Sequence, residues 1–474
     1  MEALGLTLII LTAIVFAAIG IIYSKKHHIT AEDYLSSRNS LGLGAAIASL
    51  VASGMGAWIL FSPAEAAITA GMTALIGYAI ASAAALFIFA WLGKRLRTLM
   101  PNGHSLTEYV LQRYGKGMYY IVIIVMLLYM AVFLTAELSG IAQANELVFK
   151  TPLIFSTAII GLATVAYTSL GGLKATLFTD KIQTWFILPL LAIIFIATVS
   201  FFGGFQDTLT QVSSTNPDLL NPTNPYGIEY ALTLLIAIIG AELFNQGNWQ
   251  RVYAPKTKRI MSLSFIGAGL IVLVTIFIVG ILGFFAIPTG QAQNPSVALF
   301  TLLLHATPTW ILLTTMVLAT TLIMSSMDTL LNAMVSIFAV DIVRVIPHVN
   351  KAKLIGAARA FTLVLAGIAI LVASKGYSVL YLFLVADLIC VAAVFPTLFG
   401  LFNKKYSGKV AILSTIAALI AGAFLFPDPT FARGNLLKSF IVALIIPIAI
   451  APFAIQSGKD FDFHKLRENV NKIE

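Results

Sequence analysis

Long apolar runs recur from one end of this chain to the other, and the short polar segments between them hold almost all of its basic residues. A hydrocarbon core about 30 Å thick is crossed by a helix of about 20 residues, and only helices or closed barrels satisfy their backbone groups there. Alternating porin-type segments are absent, which leaves an all-α polytopic membrane protein. The runs give thirteen transmembrane helices, at 4–22, 42–70, 72–93, 118–147, 153–170, 177–202, 228–250, 260–286, 309–341, 356–374, 379–402, 409–426 and 436–455. Composition agrees, with 59% of residues hydrophobic and 10% charged, against about 45–50% and about 25% in soluble domains. Soluble enzymes, disordered chains and disulfide scaffolds are thereby excluded. The single cysteine, Cys390, lies in an apolar run and has no second thiol to pair with.

Orientation follows from the lysines and arginines. With the N-terminus outside, the C-terminus falls inside, and all but Lys150, Lys375, Arg433 and Lys438 lie on the inner side. Arg251, Lys174 and Lys181 belong to that inner set. The net charge of +9 therefore reports topology, and no nucleic-acid partner is expected. The basic cluster from Lys25 to His28 follows the first apolar run, which makes that run an uncleaved helix and not a signal peptide. The two longest loops, 203–227 and 288–308, lack Lys and Arg, as outside loops should. Residues 1–455 are expected to form one transmembrane transporter domain, and 456–474 a short cytoplasmic tail.

Several chemistries lack their residues. The sequence contains no GxxxxGK[ST] cradle for a nucleotide, no HExxH and no CxxC. The six histidines lie at span ends or in loops. No organic cofactor and no enzymatic activity are expected, and transport, conduction or sensing remain.

Two spans carry glycine and polar residues at mid-membrane depth. The second holds Gly54, Gly56 and Pro63 with Ser49 and Ser53, and the seventh holds Gly240 and Gly247 amid Glu242, Asn245, Gln246 and Asn248. Irregular backbone is tolerated at that depth only around a cavity or inside protein. The two spans are five apart and run in opposite directions, so spans 2–6 (42–202) and 7–11 (228–402) form inverted repeats. Paired interrupted helices at matching positions point to a transporter's binding site. The plainer reading, that glycines let helices pack closely, does not explain the cluster of amides and carboxylate around Gly247.

Six acids fall within or near spans: Glu65, Glu137, Asp180, Glu242, Asp328 and Asp387. Each would cost roughly 2.5–3.5 kcal/mol at the centre of a span. No lysine or arginine stands at a span centre to pair with them. Glu65 and Asp387 fit buried, protonated acids, whereas Glu137 and Asp328 call for a cation or a cationic solute. The ninth span gathers Ser325, Ser326, Asp328 and Thr329, a hard-oxygen set suited to a small cation. Against that stands the habit of Ser and Thr of bonding their own i−4 carbonyl.

At these residues the chain resembles the sodium/solute symporter family, which includes the bacterial proline and galactose symporters. The motifs are Tyr167-Thr168-Ser169-Leu170-Gly171-Gly172-Leu173-Lys174-Ala175 with Thr179-Asp180-Lys181-Ile182-Gln183, then Asn245-Gln246-Gly247-Asn248-Trp249-Gln250-Arg251, then Met324-Ser325-Ser326 leading to Asp341-Ile342. The resemblance covers roughly residues 30–450 and implies a LeuT-type 5+5 inverted repeat. It also implies Na⁺ as coupling ion, driving a small solute through the cell membrane by alternating access. By the family's pattern the Na⁺ ligands are the carbonyls of Ala52, Met55 and Leu322 with the hydroxyls of Ser325 and Ser326. The proline symporters carry an aspartate where this chain has Gly54, a departure that removes a carboxylate near the Na⁺ site and puts proline in doubt. Some members bind a second cation, which here would fall to Asp180, Asp328 and Thr329. Asp180 has an equally plain role in pairing with Lys174 or Lys181.

The solute is expected between spans two, four and seven, at Trp58, Glu137, Glu242, Asn245, Gln246, Asn248 and Trp249. Two carboxylates favour an amine-bearing solute over a sugar, and Trp249-Gln250-Arg251 is similar to the urea/polyamine branch. An amino acid, an amine and urea all stay open. So do H⁺ coupling and a solute sensor on the same fold.

Overall fold

A computed structural model of the protein describes residues 2–26, 37–345, 351–428, 433–455 and 460–470. His27, His28 and His348 lie outside the described residues, as do the side chains of Tyr167, Ser169 and Leu170 in the first motif.

The described residues are helical, with a lone bridge between Leu41 and Pro255 and no strand. Ten helices are long and apolar enough to cross a bilayer: Thr7–Lys26, Ser62–Leu99, Lys116–Phe149, Gly172–Phe201, Pro225–Glu242, Lys258–Phe285, Thr309–Ala339, Val379–Phe399, Gly408–Leu425 and Leu436–Phe453. Leu43–Gly54, Leu153–Ala166, Pro295–Ala306 and Ala360–Ala373 are shorter apolar helices. Their outer faces suit lipid. Trp185, Phe424 and Phe453 are 75%, 89% and 77% exposed, which an aqueous surface would rarely tolerate as part of so broad an apolar face.

Small residues set the packing, as expected where close backbone approach replaces a hydrophobic drive. A methyl on Gly283 would meet the Ala64 carbonyl oxygen at 2.8 Å, and one on Gly77 would meet the Ala231 Cα at 2.8 Å. Two long helices bend at glycines. Within Ser62–Leu99, Gly71 takes φ +83°; within Leu153–Phe201, Gly172 takes φ +54°. At Gly71 the reason is visible, because any Cβ would collide with the carbonyl of Leu219 from the loop above it. We expect Gly71→Ala to lower stability by about 1–3 kcal/mol, read as a fall in melting temperature in detergent. An unchanged melting temperature would show that the loop moves aside.

The segment before the second span and the end of the seventh meet. Leu41 N–H donates to Ala254 O at 3.0 Å and Lys256 N–H to Leu41 O at 2.9 Å. Arg38 and Arg97 reinforce this junction. Arg38 Nη1 donates to Pro101 O at 2.7 Å, and Arg97 Nη2 to Pro255 O at 2.8 Å. Residues 460–470 of the expected tail fold back on the helices. Phe461 N–H donates to Lys404 O at 2.9 Å, the Arg113 guanidinium lies 4.8 Å from the Phe461 ring centroid, and Leu466 is buried.

Candidate solute and cation sites

Both glycine-rich spans are interrupted. The first half of the second span, Leu43–Gly54, has 12 residues, about 18 Å of helix and so half a membrane. Met55 and Gly56 are extended, with ψ 91° and −176°, before a 3₁₀ turn at Ala57–Leu60 and the helix from Ser62. The seventh ends as Pro225–Glu242 and resumes as Gln246–Tyr253, capped by Asn245, whose Oδ1 accepts the Gly247 N–H at 3.0 Å. All eight residues of that second half are buried although four of them are Gln, Asn, Gln and Arg. A polar helix with no exposed face must find its partners inside the protein.

Between the breaks lies a half-open cavity, about 700 Å³ with the solvent at its mouth included. Its wall is aromatic on one side, with Trp58, Tyr78, Tyr129, Phe133 and Phe383, and carries two carboxylates, Glu242 and Asp387. Trp58 stacks on Tyr78 at 5.8 Å, and Phe133 meets Phe383 edge-on at 4.8 Å. Glu242 is held on both oxygens: Tyr129 Oη donates to Oε1 at 3.1 Å and Asn248 Nδ2 to Oε2 at 2.8 Å. Asp387 sits within electrostatic reach of Glu242 and has no hydrogen bond or ion pair among the described residues. No lysine, arginine or histidine lines the cavity. The wall therefore sets two carboxyl groups among π-systems, chemistry that suits organic cations.

Of the seven expected solute residues, Trp58, Glu242 and Asn248 line this cavity and the other four do not. Asn245 stands behind Glu242, donating weakly to its Oε2 at 3.4 Å. Gln246 turns away to donate to His104 O at 2.7 Å. Trp249 is fully buried against Phe89 at 4.9 Å and gives its indole N–H to Leu243 O at 2.9 Å. Glu137 points into the break of the second span, where its Oε2 accepts the Ala57 N–H at 2.7 Å. Asp387 takes the place of Glu137 as the second cavity carboxylate. Tyr129 and the two phenylalanines gave no signal in the sequence, since aromatic residues at helical spacing are ordinary core.

Ala52, Met55, Leu322, Ser325 and Ser326 are all buried where the first break faces the Thr309–Val345 helix. No backbone amide among the described residues donates to the carbonyl of Ala52 or Met55. The Ser326 hydroxyl bonds back to Leu322 O at 3.3 Å and Ile323 O at 3.2 Å, and Ser325 Oγ donates to Asp180 Oδ1 at 2.9 Å. Backbone oxygens released by the break, with hydroxyls opposite, fit a small hard cation.

The second oxygen cluster already has a cation of its own, and here two expectations need correcting. Arg251 is a buried residue and not an exposed loop charge, and Asp180 pairs with it and not with Lys174 or Lys181. Arg251 Nη2 donates to Asp180 Oδ2 at 2.7 Å and to Thr329 Oγ1 at 3.1 Å. Ser49 Oγ donates to the same Asp180 oxygen at 2.7 Å and accepts Arg251 Nε at 2.9 Å. Asp328 lies at the edge, with Thr179 Oγ1 at 3.5 Å and Thr329 Oγ1 at 3.4 Å. The guanidinium thus joins the second, sixth, seventh and ninth spans.

Comparison with known proteins fits this architecture. The spermidine transporter DUR31 of Candida albicans is 29% identical over 83% of this chain and 75% of its own length. The sodium/glucose cotransporter of Vibrio parahaemolyticus is 27% identical over 83% and 79%, and the urea active transporter of Saccharomyces cerevisiae 23% identical over 94% and 67%. Among solved structures, a substrate-bound, outward-open Na⁺-coupled sialic acid symporter superposes with a TM-score of 0.81 at 17% identity, covering 97% of this chain and 98% of that one. A nucleobase-cation-symport-1 family transporter follows at 0.59. These are LeuT-type folds, and the likeness extends across both broken spans. The model of the sodium:solute symporter family matches residues 33–418. This multi-pass integral protein of the cell membrane belongs to the sodium:solute symporter family.

Proposed function

We propose that the protein carries a small di- or polyamine into the cell together with Na⁺. The observation that carries this reading is the pair Glu242 and Asp387 in an aromatic cavity that no basic side chain lines. A carboxylate left unpaired in the membrane interior marks a place for a cation. An organic amine meets both the charges and the rings, whereas a sugar or proline would leave two carboxylates desolvated beside it. The kinship with a spermidine transporter supports the same class.

In this reading the chain crosses the membrane thirteen times as a single domain with its N-terminus outside, and the two broken spans are the pseudo-symmetric centre. Na⁺ binds among Ala52, Met55, Leu322, Ser325 and Ser326 and draws the first break onto the ninth span. Amine then binds beside it, and the repeats rock to open the inner side. The positive charge at Asp180 and Thr329 is Arg251, so one Na⁺ accompanies each solute.

Proteoliposomes with an imposed Na⁺ gradient test this. Labelled putrescine and spermidine should accumulate saturably and only with Na⁺ outside, while glucose, proline and urea should not. A charge-flux measurement should give one Na⁺ per amine. Accumulation of urea or glucose in place of the amines would overturn the solute class, and amine uptake driven by a pH gradient alone would overturn the ion.

A further inference from the structure

Resting on the Na⁺-symport reading above, we infer that Glu137 belongs to the coupling-cation site and not to the solute cavity, as the carboxylate that holds Na⁺ at the break of the second span. The break offers only neutral oxygens of its own, because residues 52–56 read Ala-Ser-Gly-Met-Gly. Neutral oxygens can replace a monovalent cation's hydration shell, and a counter-charge beside them deepens the site by favouring the charged partner. Glu137 provides it from the Lys116–Phe149 helix. The side chain is fully buried. Its Oε2 accepts the Ala57 N–H at 2.7 Å, and its Oε1 is buried with no hydrogen-bond partner among the described residues. That free oxygen lies against Gly56, where any Cβ would collide with it, so the glycine is what lets the carboxylate reach the unwound backbone. The Ser326 hydroxyl, one of the expected ligands, lies within reach of the same carboxylate.

The arrangement sets one acid oxygen against Gly56, next to the extended Met55, with the Ser326 hydroxyl within reach of the same carboxylate. A purely structural Glu137 would need only to cap the Ala57 amide. A glutamine carbonyl would do that equally, whereas a second carboxylate oxygen buried against Gly56 is put to use only by a ligand.

The test is Na⁺ binding to purified protein without solute, followed by ²²Na⁺ equilibrium binding and by Na⁺-dependent thermal stabilisation against choline. Glu137→Gln should bind Na⁺ about tenfold more weakly or worse, with its melting temperature in choline unchanged. At saturating Na⁺ its amine affinity should match that of wild type. Wild-type Na⁺ affinity in Glu137→Gln, or intact Na⁺ binding with lost amine affinity, would overturn the inference and return Glu137 to a capping or solute role. Absence of Na⁺ binding in the wild type would instead sink the symport reading itself. If Glu137→Gln does not fold, Glu137→Asp decides, since it keeps the charge but withdraws from Ala57. Weaker Na⁺ binding by a folded Asp variant supports the inference, and wild-type Na⁺ affinity overturns it.

Discussion

Arg251→Ala should be among the most damaging single substitutions in this protein. It leaves Asp180 buried without its guanidinium, and it takes a donor from Ser49, Thr329 and the Gly247 carbonyl at once. Breaking a buried pair by deleting one partner costs about 3–5 kcal/mol, most of it the stranded charge. We expect a large fall in melting temperature in detergent and no uptake. The neutral double variant Asp180→Asn with Arg251→Gln should recover much of the stability, because neither side is left charged. Uptake should stay low in the double variant. Ser49 sits on the first half of the second span and Arg251 on the second half of the seventh, so the pair fixes how the two broken spans meet. Equal melting temperatures for the single and double variants would show that shape, and not charge, dominates at this junction.

Asp387→Asn should act in the opposite sense on stability. Removing a carboxylate with no partner among the described residues relieves its desolvation, so the variant should melt higher than wild type. Its KM for the amine should rise about 100-fold, roughly 2.7 kcal/mol, in line with the loss of one partner from a desolvated charge pair. Glu242→Gln should weaken uptake comparably but without the gain in stability, since Tyr129 and Asn248 are oriented by that carboxylate. Gained stability with lost affinity marks a residue kept for binding. If Asp387→Asn transports normally, the cavity's solute is not read by charge, and the amine proposal falls with it.

Much of this was legible in the residues. Run length and sparse charge dictate helices and a membrane, because backbone satisfaction in lipid leaves no other choice. Gly54, Gly56 and Gly247 mark the breaks, since glycine at mid-depth beside amides and acids has no better use. Glu242 and Asn248, which line the cavity, stood out in the sequence for the same reason: they are costly where they stand. Glu137 was legible as a costly intramembrane acid but not as to its surroundings, because its helix passes both the break and the cavity and only the side chain's direction decides between them.

Arg251 and Asp387 show where such reasoning stops. An arginine five residues before a run of lysines and arginine reads as part of an inner loop, and nothing local says that the helix carrying it turns inward. Its partner Asp180 is 71 positions away. Asp387, alone in an apolar run, looks like an acid that would be protonated and inert. Packing places it in the cavity wall with Glu242 and Trp58, one turn after Phe383 on the same helix. Hydrophobicity, periodicity and helix breaks are properties of a segment and its solvent, so the sequence alone determined the membrane, the helices and their interruptions. Charge pairing and cavity shape depend on which distant segments touch, and that was decided only by the tertiary structure, through close glycine packing and the meeting of two half-helices.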